Sequence, residues 1–264
     1  MVEPVYTPVI GLVRAVFRGL GLRFDLLGEE NVPRARGAVM AINHVGYLDF
    51  TFAGLVAQKH KRLVRFMAKK EVFDHKVAGP LMRGMKHIPV DRVHDPAESY
   101  RLAVESLKGG EIVGVFPEAT ISQSFELKEF KTGAVRMAME AGVPLLPVIV
   151  WGSQRVFTKN RPKEFTRGTH ISVSAGEPFL PDPGSDPVEV TAELKRRMQE
   201  LLVHARATYQ GAPRTPDDTW WLPVSMGGTA PTLEQASLRD DEDRAARAAR
   251  RAAKDADGGA AAAP

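Results

Sequence analysis

The feature that most constrains this chain is a recurring unit, a short β-branched apolar run that stops abruptly at polar or charged residues. Residues 38–42 stop at Asn43-His44, 63–68 at Lys69-Lys70-Glu71, 87–90 at Asp91-Arg92, and 111–116 at Pro117-Glu118. Apolar runs of this length read as strands buried on both faces. Between them, residues 51–60 and 98–108 read as helices, the second through Leu102, Val104 and Leu107 before Gly109-Gly110 stops it. Strands alternating with helices predict an α/β fold, a single domain with a mixed, largely parallel central sheet flanked by helices. Ligands gather at strand ends in such sheets, and there this chain delivers His44, Lys69, Arg92 and Glu118.

His44 closes the first run, and Asp49 follows five residues later, just before the apolar run 52–56. If the chain folds back through Gly46, the Asp49 carboxylate reaches one imidazole nitrogen and fixes its tautomer. That is a general base with its orienter. An aspartate at a helix start also reads as an N-cap.

Composition narrows the class. With 264 residues, 44% of them hydrophobic, the chain can bury one large core. Lys and Arg number 36 against 32 Asp and Glu, a mild basic bias that suits an anionic ligand or a membrane surface rather than nucleic acid. The chain has no Cys, which excludes disulfides, Cys-ligated zinc and a thiol nucleophile, and which fits a reducing cytosol. No G-x-S-x-G elbow is present, so a serine-hydrolase mechanism has no support.

The pattern divides the chain into an N-terminal amphipathic, membrane-facing segment (1–24), a catalytic-type domain (25–235) and a tail (236–264). In the first segment Leu12, Val16, Phe17 and Leu20 recur at helical spacing while Arg14, Arg18 and Arg23 interrupt the apolar run, so it does not read as a spanning helix. It reads either as an interfacial helix lying on a membrane or as an amphipathic helix packed on its own domain. Residues 155–167, rich in Lys and Arg, read as a solvated loop or as a contact for anionic headgroups or a carrier protein. Trp220-Trp221 reads as an interfacial anchor or as packing. The tail, poor in large apolar residues, reads as disordered or as a solvated helix.

Several of these residues fall into ordered blocks. Asn43-His44 with Asp49 is followed by Gly84, Ile88, Val90 and Arg92, then by Phe116-Pro117-Glu118 with Thr120, and last by the apolar run 143–149 with Pro144 and Pro147. Lys131-Thr132-Gly133-Ala134 links the third block to the fourth. In this order, over residues 38–152, they resemble the glycerolipid acyltransferase family, whose best-known members are the 1-acylglycerol-3-phosphate O-acyltransferases of phospholipid synthesis.

The resemblance implies transfer of a fatty acyl group from an acyl thioester, acyl-CoA or acyl carrier protein, to the hydroxyl of a lysophospholipid. With 1-acylglycerol 3-phosphate as acceptor the product is phosphatidic acid. It implies that His44 deprotonates the acceptor hydroxyl, Asp49 holds His44, Arg92 binds the acceptor phosphate, and Glu118 and Thr120 position the glycerol or phosphate moiety. The thioester supplies the driving force, so no metal or redox cofactor is expected. The expected partners are the two substrates and a membrane surface, with the protein peripheral on the cytoplasmic face of the cell membrane.

The third block departs from the family's Phe-Pro-Glu-Gly-Thr-Arg, with Ala119 for glycine and Ile121 for arginine, a form that resembles actinobacterial members. Ile121 offers no donor to a phosphate, so Arg92, Lys69, Lys128 or Lys131 must compensate, or the acceptor is another lipid such as lysophosphatidylinositol or a glycolipid. Ala119 is expected to reshape the loop, because a Cβ restricts the backbone. Phe52, Leu55, Val56, Leu81, Met82 and Met85 read as an acyl-chain slot or as plain core. The alternative of another class is a non-catalytic membrane-surface protein that keeps the fold, against which the intact His44 and Asp49 stand.

Overall fold

The apolar runs form the strands that their composition favours. The structure, a computed structural model, describes residues 3–91 and 95–260, without the side chains of 247 and 250–260. Seven strands build one sheet: β1 (Arg23–Leu27), β2 (Ala38–Ile42), β3 (Val64–Lys69), β4 (Ile88–Val90), β5 (Ile112–Val115), β6 (Leu145–Trp151) and β7 (His170–Ala175). Their order is β1-β7-β6-β2-β5-β3-β4. Every pairing is parallel except that of β6 with β7, so five strands run one way and β7 and β1 the other. This is the mixed, mostly parallel sheet that the pattern predicts.

The central strands β2, β5 and β6 are buried along their whole length, which is why they read as unbroken apolar runs rather than as alternation. One face, through Met40, Ile42, Leu146, Val148 and Val150, packs with Phe17 of helix α1 (Tyr6–Gly19), with Phe52 and Ala53 of α2 (Asp49–Ala53), and with Val56 of the 3-10 helix Gly54–His60. The stretch expected as one helix over 51–60 is thus a single α turn that tightens into a 3-10 helix.

The other face carries α5 (Pro96–Lys108), α6 (Gly133–Ala141) and α7 (Pro187–Ala207), with Arg206 of α7 over the Trp151 ring at 4.5 Å. Between β3 and β4 lie two short helices, α3 (Lys70–Asp74) and α4 (Ala78–Gly84). α7 starts at Pro187, which sits in the first turn, where the Asp186 side chain accepts the Val188 N–H.

The chain separates into two units. Residues up to 121 together with 127–212 hold the whole sheet, and residues 122–126 with those from 213 onward form the second. Within the second, α8 (Leu233–Ala260) is helical, the Trp220 and Phe125 rings meet edge-on at 6.4 Å, and Ser225 donates to Glu126 at 2.6 Å. Trp220 therefore packs on an aromatic of its own unit.

α1 is tied down by charge as well as by apolar contact. Arg65 of β3, 2% exposed, donates to both Glu3 oxygens at 2.9 and 2.6 Å and to Glu111 at 3.0 Å, and the Tyr6 hydroxyl donates to the Val64 carbonyl at 2.7 Å. A buried guanidinium that loses its partner keeps the cost of its desolvation. Glu3→Ala should destabilise the protein by about 3 kcal/mol, the low end for breaking a buried pair because Glu111 remains. Urea unfolding checks this, and a change below about 0.5 kcal/mol would show that the pair contributes nothing.

Candidate active site

β2 ends at Ile42, and the next seven residues form a turn that buries a carboxylate. The Asn43 side chain closes the strand end by donating to the Val150 carbonyl and accepting the Val150 N–H, at 3.0 and 2.7 Å, which locks β2 to β6. The chain then folds back through Gly46, where a Cβ would crowd the Phe157 and Ser153 carbonyls and the Asp49 carboxylate at 3.1–3.2 Å. Asp49, wholly buried, places Oδ2 3.1 Å from Nδ1 of His44, and the same oxygen accepts the Val45 and Gly46 N–H groups at 2.7 and 2.8 Å. Oδ1 accepts from the Ser153 hydroxyl at 2.5 Å. The carboxylate opens α2 yet turns back onto the preceding residues, so it serves the histidine rather than capping its own helix. Three donors besides the imidazole offset the cost of burying it.

His44 keeps 19% of its side chain exposed, and the Phe116 ring stacks on it at 4.1 Å. Nδ1 faces Asp49, which leaves Nε2 for a reactant. The imidazole's orientation is set on one edge by a carboxylate and on one face by a ring.

The end of β5 adds the second carboxylate. Glu118, 4% exposed, accepts the His44 backbone N–H on Oε1 at 2.7 Å and the Lys128 backbone N–H on Oε2 at 3.0 Å. Both oxygens therefore brace backbone, and the residue ties the β2 end to the segment after the third block. Burial pushes its carboxyl up to about 7, against the pull of the two N–H donors and the Lys128 charge, while the Asp49 charge adds to the rise. Two carboxylates near one histidine thus sit in unlike surroundings.

Thr120 accepts from Lys128 Nζ at 2.6 Å. Ala119 takes φ 62°, in the left-handed region that glycine favours. The Phe116 carbonyl accepts the Ala119 N–H at 3.0 Å and closes the turn, at a cost of roughly 1 kcal/mol relative to glycine. Ile121 is 5% exposed.

Of the residues singled out from sequence, the structure brings together His44, Asp49, Glu118 and Thr120. Lys69 is exposed at the end of β3, and Lys131 is exposed while its N–H donates to the Pro117 carbonyl at 2.9 Å. Arg92 lies outside the described residues. Of the expected acyl-slot residues, Phe52 and Val56 are fully buried core, Leu81 is exposed, and Leu55 and Met85 line a cavity of about 80 Å³ between α1 and the start of α2, with Tyr6, Ile10, Val13 and Phe50. Among the described residues no group of three His, Cys, Asp or Glu gathers with metal-binding geometry.

Sequence reasoning missed the brace after β6. Besides Ser153, the Thr158 hydroxyl donates to the Val45 carbonyl at 2.6 Å and the Phe157 carbonyl accepts the Tyr47 N–H at 2.9 Å. The available cue was Ser153 itself, a polar residue directly beyond a buried strand, as His44 is. Arg155 also departs from a solvated loop, being 4% exposed and donating to the Ala212 carbonyl at 2.9 Å.

The family model described as Acyltransferase matches residues 23–151, which hold His44, Asp49, Glu118, Thr120 and Lys128. The 1-acyl-sn-glycerol-3-phosphate acyltransferase of Bacillus subtilis is 31% identical over 179 residues, covering 66% of this chain and 85% of its own length. The chain belongs to the acyltransferase family. The human 1-acyl-sn-glycerol-3-phosphate acyltransferase beta is 30% identical to this acyltransferase over 76% of the chain and 73% of its own length. The crystal structure of the 1-acyl-sn-glycerophosphate acyltransferase PlsC from Thermotoga maritima, 24% identical, superposes with a TM-score of 0.66 over 78% of this chain and 81% of that one, so the fold is shared. In this acyltransferase the dyad therefore sits at the end of β2 in the sheet of its family.

The Glu118 carboxyl also sets a pH dependence. Its folded value, about 7, lies above the ordinary 4.5, so its stabilising contribution is complete below about pH 4.5 and is lost as the pH rises through about 7. Glu118→Gln cannot titrate. The melting-temperature difference between wild type and Glu118→Gln should shrink in the wild type's disfavour across that interval, and a difference that stays flat would contradict the assigned environment.

Proposed function

We propose that this enzyme transfers a fatty acyl group from an acyl thioester to the free hydroxyl of a lysophospholipid, with 1-acylglycerol 3-phosphate as acceptor and phosphatidic acid as product. The names of the relatives and the ordered blocks support the acceptor class. The observation that carries the mechanism is the wholly buried Asp49, held by Val45, Gly46 and Ser153 and set 3.1 Å from His44 Nδ1.

In this reading Nδ1–H of His44 donates to Asp49, and Nε2 accepts the proton of the acceptor hydroxyl. The oxygen attacks the thioester carbonyl, the tetrahedral intermediate collapses, and the carbon–sulfur bond breaks. The departing sulfur takes the proton from the imidazolium, which the Asp49 charge has stabilised meanwhile. No covalent enzyme intermediate, metal or redox cofactor enters this route. Acyl-CoA or an acyl carrier protein serves as donor, and Glu118 acts through backbone, holding His44 and Lys128 in register. The cavity beside Phe50 and Leu55 receives the first part of an acyl chain, where each buried methylene contributes about 0.8 kcal/mol.

The deciding assay is thiol release from palmitoyl-CoA with and without 1-acylglycerol 3-phosphate. Wild type should show acceptor-dependent release, and a His44→Ala protein that remains folded should lose it by a factor of about 100 to 10,000, the range for removing a general base. A folded wild type that releases no thiol in the presence of the acceptor would overturn the substrate assignment. Ile121 keeps a second acceptor class in view, lysophosphatidylinositol or a glycolipid, which belongs in the same panel.

The protein works, in this proposal, as a peripheral enzyme on the cytoplasmic face of the cell membrane, a setting that a cysteine-free chain suits. No helix among the described residues is long and apolar enough to cross a membrane. α1 turns Tyr6, Val13 and Phe17 inward and leaves Leu12 and Val16 exposed, at 66% and 49%, with Arg14 and Arg18 exposed on another side of the helix. The inward side fits the reading of a helix packed on its own domain, and the exposed Leu12 and Val16 support the interfacial one. The outer side suits an interface with anionic lipid. Leu12→Asp with Val16→Asp should lower pelleting with phosphatidylglycerol-containing liposomes several-fold while the melting temperature holds, and unchanged pelleting would discard the contact.

A further inference from the structure

The family arginine after the third-block threonine is replaced here by Ile121, whose side chain is 5% exposed and carries no donor. A phosphate-bearing acceptor needs a cation from elsewhere. Among the candidates, Arg92 lies outside the described residues, and Lys69 and Lys131 are exposed. Lys128 is placed differently, and the backbone explains how. Its N–H donates to one oxygen of Glu118 at 3.0 Å while the His44 N–H donates to the other at 2.7 Å. A single buried carboxylate therefore ties the backbone of the lysine to the backbone of the proposed base. From that anchor the half-buried side chain runs back to the third block, where Nζ donates to the Thr120 hydroxyl at 2.6 Å.

We infer that Lys128, seated by Thr120, binds the phosphate monoester of the acceptor in place of the block arginine. The inference rests on the acceptor reading given above and names the group that recognises its headgroup. An ammonium has three N–H donors, and the Thr hydroxyl both accepts and donates, so the pair can hold each other and a phosphate oxygen together. The geometry also states a difference from the arginine. A guanidinium matches two phosphate oxygens in one plane, whereas an ammonium is a compact point charge. Recognition here depends on charge and on the place that Glu118 gives it, with less dependence on the orientation of the phosphate.

The test uses Lys128→Met, which keeps the stem and the backbone N–H to Glu118 but removes the charge, and Lys128→Arg, which restores a cation. Thiol release from palmitoyl-CoA is followed while 1-acylglycerol 3-phosphate, monoacylglycerol and palmitoyl-CoA are varied in turn. Lys128→Met should raise the KM for 1-acylglycerol 3-phosphate about 10- to 100-fold, the effect of one charge-assisted bond, with kcat, the KM for palmitoyl-CoA and any turnover of monoacylglycerol little changed. Lys128→Arg should recover most of the loss. An unchanged acceptor KM in a folded Lys128→Met protein would overturn the inference. A rise confined to the KM for palmitoyl-CoA would overturn it as well, since the lysine would then read the phosphates of the donor.

Equilibrium binding of 1-acylglycerol 3-phosphate to His44→Ala, with and without Lys128→Met, separates this inference from the reaction reading. If wild type proves inactive on that acceptor, the substrate assignment fails. Binding that still weakens with Lys128→Met would then support the phosphate site, and binding indifferent to it would overturn the site.

Discussion

The arrangement depends on one buried charge. Asp49 has no exposed surface, and an isolated carboxylate there would cost far more than a fold of this size can spare. It is tolerated because Val45 and Gly46 N–H groups, the Ser153 hydroxyl and the His44 ring converge on it. Each of those donors in turn needs the carboxylate. The turn through Gly46 closes only around Asp49, Ser153 is aimed by the end of β6, and His44 is oriented by the same oxygen that holds the turn. Strand pairing between β2 and β6, reinforced by Asn43 on Val150, thereby becomes a condition for orienting a histidine.

Glu118 shows how a second carboxylate, braced on the other side of His44, takes a different part. It faces two backbone N–H groups rather than an imidazole, and burial raises its carboxyl to about 7. Such a group holds segments in place. The end of β5 is thus locked to the ends of β2 and of the Lys128 segment, and the dyad rests on a frame whose polar atoms are largely engaged by main chain. The apolar side of the same frame is α1, pinned by Glu3 to Arg65 and lining a small cavity that begins beside α2. The buried carboxylate and the apolar cavity meet at α2.

Read by itself, the sequence determined the α/β class, the strand positions to within a residue or two, and the pairing of His44 with Asp49. It could do so because those properties are local: buried strands need unbroken apolar runs, a parallel sheet needs helices between them, and five residues span one folded-back turn. Asp49 illustrates the limit of that reading, since as sequence it served equally as a helix cap. Only the turn of its carboxylate toward Val45, Gly46 and His44 decided between the two.

What the tertiary structure decided involves partners distant in sequence. Ser153, Phe157 and Thr158 brace the His44–Asp49 turn from about a hundred residues away because β6 happens to neighbour β2, and no periodicity records that adjacency. Ala119 holds φ 62° because a turn closed by Phe116 outweighs a local preference of roughly 1 kcal/mol. Lys69, Lys128 and Lys131 were not separable by sequence, and among these three the fold distinguished Lys128 by tying its backbone to Glu118 and its ammonium to Thr120. Residue type and local spacing pointed to the candidate groups; the geometry of strand order settled which of them meet, because contacts across a sheet follow from packing and not from separation along the chain.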